Sequence, residues 1–376
     1  MPDIFDRAIL EGIPHETPYF LFSKKALTNR YKEFRRDFPN ATIFYAMKAD
    51  AERELLEILH AEGCGFEAAS VYELNLLKDI GVEPDRILYG TSVKPASHIR
   101  QFHEYGVTRY AFDSIQELDK IAALAPGARV YVRVSVNDTG SIYRFSEKFG
   151  TVPENVVPLL THARDLGLRH YGISFHVGSQ AGNRDAWASA IRGLIPVLKH
   201  LKERSLDIEM LNIGGGYPSF YASSEESIAL KEISESVYEA LDELPYAPKL
   251  VLEPGRAMVA ESAVLVASVI ARVDRVEHTW LFLDAGVYNG LFESLAYQGA
   301  IRYRISALRE IDGAGEAVFA LAGPTGDSWD VMSREAHLPA DIGPGDKLVF
   351  HSVGAYNQVM VGKFNGFPKP KAYFLD

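Results

Sequence analysis

The chain has 376 residues, of which 47% are hydrophobic and 24% charged, a composition that suits a soluble globular protein of roughly two domains. Its formal net charge of −11 excludes a broad nucleic-acid or anionic-membrane surface, so neither partner is expected. One cysteine, Cys64, leaves no intrachain disulfide and no cysteine-based zinc site, and no metal is expected. No run of about 18 apolar residues reads as a membrane span. The first residues carry acids from Asp3 onward and do not read as a signal peptide, which makes the cytoplasm the expected compartment.

Residues 17–23 read as a short aromatic strand, and 24–37 as an amphipathic helix with Leu27, Tyr31 and Phe34 spaced at three and four. Strand-like runs then recur at 42–47, 65–68, 86–89, 109–112, 129–136, 170–176, 209–213 and 249–253. Helical patterns lie between most of them, at 52–61, 71–79, 96–105, 115–125, 154–166, 184–204 and 224–244. This alternation predicts a closed parallel (β/α)8 barrel, with an open doubly wound sheet as the alternative. From about residue 260 the texture changes. Apolar, β-branched runs at 263–273, 279–283, 316–322 and 347–351 lack comparable helices and predict a mainly antiparallel β domain. The fold class is therefore α/β plus β, with the barrel over 24–258 and the β domain over 1–23 and 259–376.

Most predicted barrel strands end in something polar: Lys48, Glu67, Asp113, Arg133, His176, Asn212 and Glu253. The C-terminal strand ends of a barrel converge on one mouth, where active sites sit. Lys48 follows a strand-like run that includes Phe44, Tyr45 and Met47, a place where poor solvation lowers an ammonium pKa and frees an amine nucleophile. Gly214, Gly215 and Gly216 follow the seventh run and let backbone N–H groups approach an anion. Glu253 and Arg256 place a carboxylate and a guanidinium within four residues. A lysine, a carboxylate for a ring nitrogen and a phosphate cradle together describe pyridoxal phosphate.

On these residues the chain resembles the alanine-racemase-fold amino-acid decarboxylases, and within them the ornithine/lysine branch, with diaminopimelate and carboxynorspermidine decarboxylases as relatives. The matching segments are 44–49, 65–74, 89–99, 111–118, 148–150, 172–180, 211–218, 253–256, 323–330, 354–356 and 364–367. The resemblance implies that Lys48 holds pyridoxal 5′-phosphate covalently, His176 stacks on its ring, and Glu253 pairs with its ring nitrogen. It places Ser179, Gly215, Gly216, Arg256 and Tyr356 at the phosphate, and Arg133 beside the ring. Glu67 stands where the family often has Asp. The implied activity is decarboxylation of a basic or extended amino acid, releasing CO2 and an amine for polyamine or specialised-metabolite synthesis. The implied assembly is a homodimer with shared sites.

Two departures stand out. The loop 323–330 resembles a family pattern whose cysteine protonates the substrate carbon, but that position is Gly326. Its neighbour Asp327 is the candidate contact for a substrate amine from the partner subunit. Near the expected substrate acid the chain has Glu293 and Tyr297, followed by Arg302 and Arg304, which suit an extra carboxylate. Gly326 keeps two alternatives open: racemisation or another reaction at the same site, and a non-catalytic cofactor-binding relative.

Overall fold

Eight parallel strands close into a barrel in the computed structural model, which describes residues 5, 7–13, 15–224, 228–309 and 315–376. The first strand, β1 (Tyr19–Ser23), belongs to a separate sheet. The barrel then takes β2 (Ala41–Ala46), β3 (Gly65–Ala68), β4 (Ile87–Tyr89), β5 (Arg109–Phe112) and β6 (Arg129–Arg133). Next come β7 (Ser141–Tyr143), β8 (Arg169–Ser174), β9 (Ser179–Ala181), β10 (Met210–Asn212) and β11 (Lys249–Leu252). Strands β8, β10 and β11 complete the barrel, and β11 pairs with β2 to close it. The strands are apolar on both faces because helices cover the outside and side chains fill the inside.

One interior layer explains the mouth above it. Phe44, Leu88, Ala111, Tyr131, Tyr171, Met210 and Val251 form a buried cluster across seven strands. Gly65 of β3 leaves the room that Phe44 occupies, since a Cβ there would fall 2.6 Å from the Phe44 ring. Side chains two positions further along a strand share its face. Counting two on from 65, 88, 111, 131, 210 and 251 gives Glu67, Gly90, Asp113, Arg133, Asn212 and Glu253, whereas 44 and 171 lead to apolar Ala46 and Ile173. The apolar plug thus sits directly beneath a polar layer.

Helices at Lys24–Asp37, Val71–Asp79 and Ala96–Tyr105 follow the expected spacing. The single helix expected over 184–204 is two, Ala186–Gly193 and Ile195–Glu203. Pro196, in the first turn of the second, has no N–H to continue the ladder. The helix expected from residue 224 begins only at Leu230, and residues 225–227 lie outside the described residues. Strands β7 and β9 were not expected; they pair antiparallel, Tyr143 opposite Ser179.

The second unit comprises residues 258–376 together with those up to 29 and 219–227. Its strands are β1, β12 (Ala263–Asp274), β13 (Thr279–Leu283), β14 (Ile305–Ala307), β15 (Glu316–Ala322), β16 (Val331–Pro339), β17 (Lys347–His351) and β18 (Lys371–Leu375). They form one eight-stranded sheet. It is mostly antiparallel, with β13–β15 and β1–β18 running parallel. β14, β16 and β18 carried too little alternation to be read from the sequence.

Candidate active site

Lys48 does not end its strand, as the sequence suggested. β2 stops at Ala46, and Lys48 lies in the following single turn, Met47–Ala49, with its side chain exposed. The expected desolvation by a buried strand is therefore absent. What holds the turn is backbone: Ala46 N–H donates to Pro254 O at 3.1 Å, and Gly255 lies against Ala46 and Ala49. The Lys48 amine lies 5.9 Å from the centre of the Phe145 ring.

His176 follows β8 and is half-buried in the barrel unit. Its Nδ1 accepts the Gly178 N–H at 3.0 Å, so the neutral ring carries its proton on Nε2. Burial, and then the charges of Lys48 and Arg133, hold its pKa well below the usual histidine value. The ring is neutral at pH 7. Phe145 meets it edge to face at 4.9 Å.

Glu253 stands just past β11. Its Oε1 accepts from Asn212 Nδ2 at 2.6 Å, and its N–H donates to Gly214 O at 2.8 Å. Asn212 also accepts the Gly214 N–H at 2.9 Å, so one amide ties the glycine loop to the carboxylate. Burial, and then neighbouring Glu67, push the Glu253 pKa up to about 7. Arg133 ends β6 with its guanidinium over the Phe149 ring at 5.1 Å, and burial lowers its pKa against the pull of Glu253 and Glu67.

The glycine loop is tight. A Cβ at Gly215 would fall 2.5 Å from Glu253 O, and one at Gly216 would fall 2.3 Å from Gly178 O. Trp187 Nε1 donates to Gly215 O at 3.1 Å. Arg256 is buried, donates from Nε to Ser179 Oγ at 3.2 Å, and lies over the Tyr143 ring at 5.3 Å. The pairing of β7 with β9 sets Ser179 in place. Backbone amides, a hydroxyl and a guanidinium are the donors a phosphate needs, and a half-buried carboxylate suits a protonated ring nitrogen. These residues fit pyridoxal phosphate.

The barrel unit thus brings together Lys48, Glu67, Arg133, His176, Ser179, Gly215, Gly216, Glu253 and Arg256. Sequence reasoning passed over Asn212 as a binding residue and missed Phe145 altogether. Phe145 lies in a loop organised by Asp138, whose carboxylate accepts the Phe145 and Ser146 N–H groups and pairs with Arg144. No spacing pattern marks such a loop.

The remaining candidates lie in the β unit. Asp327 accepts from Tyr288 OH at 2.5 Å and from the Trp329 N–H at 3.1 Å. The Tyr288 hydroxyl, then the Trp329 N–H, hold its pKa below the usual carboxylate value. Buried Asp330 anchors this loop by accepting the Val287 N–H, the Thr325 N–H and the Thr325 hydroxyl. At Gly326 a Cβ would meet nothing within 4 Å. Tyr356 holds a left-handed backbone with φ of 56°. Glu293 is buried in the turn Phe292–Ser294. Arg302 is exposed, with its N–H on Ser223 Oγ, and Arg304 contacts His351 Nδ1 at 3.1 Å. The side chain of Tyr297 lies outside the described residues. Cys64 is fully buried in the barrel unit and donates to Gly65 O, and burial pushes its thiol up to about 12.

Comparison with known proteins agrees with this geometry. Residues 24–260 match the family model of the pyridoxal-dependent decarboxylase, pyridoxal binding domain. The chain is 33% identical to the lysine/ornithine decarboxylase of Selenomonas ruminantium, over 96% of this chain and 90% of that one. It superposes on a crystal structure of SrLDC in complex with PLP and cadaverine with a TM-score of 0.89 at 32% identity, covering 98% and 92% of the two chains. The arginine decarboxylase of Paramecium bursaria Chlorella virus, bound to agmatine, gives 0.90 at 28% identity, covering 98% of each. The chain belongs to the pyridoxal-dependent decarboxylases, in the ornithine/lysine branch of the alanine-racemase fold, and is an amino-acid decarboxylase that uses pyridoxal 5′-phosphate.

Proposed function

We propose that the substrate is a basic amino acid and that the product is a diamine or its guanidino counterpart, which would feed polyamine synthesis. The observation that carries the chemistry is the barrel mouth, where Glu253, neutral His176 and Arg256 stand around one glycine loop. When bound, the cofactor takes up the electron pair left as CO2 departs. Lys48 holds the cofactor and yields to the substrate amine. Glu253, steadied by Asn212, keeps the ring nitrogen protonated. His176, uncharged, offers a flat face without competing for that proton. Arg256, Ser179, Gly215 and Gly216 would hold the phosphate, and Arg133 would lie beside the ring.

The substrate class rests on two supports. Lysine/ornithine decarboxylase and arginine decarboxylase both act on amino acids with a distal cation, and both are similar to this chain. Asp327 is a carboxylate kept ionised and partly accessible, as a cation contact requires. It acts in trans, in a homodimer with shared sites. Glu293, Tyr297 and Arg302 remain secondary candidates around the substrate. With Gly326 at the loop tip and Cys64 buried, either another acid or water returns the proton to the substrate carbon.

The test is CO2 release by the cofactor-loaded protein from ornithine, lysine, arginine, diaminopimelate and glutamate, with Lys48→Ala as control. Release from a basic substrate supports the proposal; release only from a dicarboxylic one turns it toward Arg302 and Arg304. Co-expressed Lys48→Ala and Asp327→Ala chains test sharing. Mixed dimers that regain no activity would rule it out.

A further inference from the structure

Gly90 has no conformational reason to be glycine: its φ lies outside the left-handed region. The atoms that a side chain there would meet first all belong to one residue. A Cβ at Gly90 would fall 2.4 Å from Glu67 Oε1, 2.5 Å from its Cγ and 2.7 Å from its Cδ, the three nearest heavy atoms. The two positions sit on neighbouring strands of the polar layer, β3 and the end of β4. The Gly90 N–H, loosely engaged with Ala68 O at 3.4 Å, lies near enough to the Glu67 carboxylate to favour its charged form. That carboxylate in turn interacts with the charges of Lys48 and Arg133.

We propose that Gly90 is the positioning residue for Glu67: its missing side chain is the space the longer acid occupies, and that space keeps the carboxylate beside Lys48. Glu67 and Gly90 then form an interlocked pair. A methyl group at 90 pushes Glu67 aside without straining the backbone. Shortening the acid by one methylene, as in Glu67→Asp, keeps Cγ but removes the far end, so the shorter side chain turns away from residue 90 more readily. This rests on the cofactor reading of the mouth for its functional consequence, but the interlock itself is measurable in the unloaded protein.

The experiment compares wild type, Gly90→Ala, Glu67→Gln, Glu67→Asp and the Glu67→Asp/Gly90→Ala double variant. The first readout is the rate at which an amine-acylating reagent labels Lys48 at pH 9 without cofactor, followed by mass spectrometry. The second is the Kd for pyridoxal phosphate. Gly90→Ala and Glu67→Gln should each speed labelling about threefold or more, because the ammonium form of Lys48 loses its carboxylate. Both should weaken cofactor binding about tenfold. In the double variant the two changes should compensate, with both readouts returning most of the way to wild type. Labelling that compensates while Kd does not move would keep the interlock and overturn the cofactor role of Glu67. A Gly90→Ala protein with wild-type labelling, or a double variant whose effects merely add, would overturn the interlock. Should Gly90→Ala fail to fold, the double variant must fold, and its failure would count against the proposal equally.

Discussion

The barrel mouth and the loop around Gly326 are built in opposite ways. The mouth is a buried polar layer on an apolar plug, and most of its groups bond to one another: Asn212 to Glu253, Arg256 to Ser179, His176 to the Gly178 backbone. The loop is held from behind by buried Asp330 while Gly326 and Trp329 face solvent. Buried polar groups are costly unless paired, so the mouth tolerates little change. An exposed loop tip with its anchor elsewhere can vary at small cost to the fold. That difference would explain how one chain keeps the residues the resemblance assigns to the cofactor while Gly326 stands where it implies a cysteine.

Four predictions press on this contrast, from the largest effect to the smallest. Lys48→Ala should lower CO2 release at least about 10³-fold while leaving the fold intact, because the side chain of an exposed turn residue adds little to the core. Circular dichroism and release assays on one preparation check it; residual turnover near wild type would move the chemistry off this lysine.

Asp327→Asn should raise KM for the basic substrate about 10–100-fold, the range for losing a charge-assisted contact. Were Asp327 only a brace for Tyr288, KM would hold and thermal stability alone would fall.

Glu253→Gln addresses the buried side of the comparison in the unloaded protein. The Glu253 pKa of about 7 lies above that of an unfolded glutamate, so the folded state holds this proton more tightly. Its contribution to stability is complete below about pH 4.5 and is lost as pH rises through about 7. Urea unfolding at pH 5 and pH 8 should show a drop, on the order of 1–3 kcal/mol from this group, that Glu253→Gln flattens. An unchanged slope would mean that other groups set it.

Gly326→Cys should be nearly silent for stability, within about 0.5 kcal/mol, since a Cβ there meets nothing. It should raise the ratio of amine to aldehyde product by giving the substrate carbon a placed acid. A constant ratio would show that the existing donor already protonates the correct carbon.

Much of the fold was legible because its signals are local. The helices Val71–Asp79 and Ala96–Tyr105 announce themselves by apolar spacing, and the first is capped by Ser70, which accepts the Glu73 N–H. The strands β3 and β5 read as short apolar runs between them. Strands β7 and β9, three residues each, carry no such run; their pairing depends on a loop folding back across the barrel end. The split at Pro196 was written in the sequence and overlooked, because the apolar spacing runs through it.

The sequence alone pointed to the groups expected at the mouth, because strand order and period two put Glu67, Arg133, Asn212 and Glu253 at corresponding strand ends. It also determined the cofactor class, because a lysine, an anion cradle and a ring-nitrogen carboxylate occur together in few other contexts. Only the tertiary structure decided the state of each group. The ionisation of Glu253 and His176 follows from burial and neighbours far apart in the chain, and the exposure of Lys48 follows from a turn pinned by Pro254 and Gly255. The reason Gly90 lacks a side chain is likewise invisible along the chain. It lies 23 positions from Glu67 and becomes apparent only when two strands set them side by side.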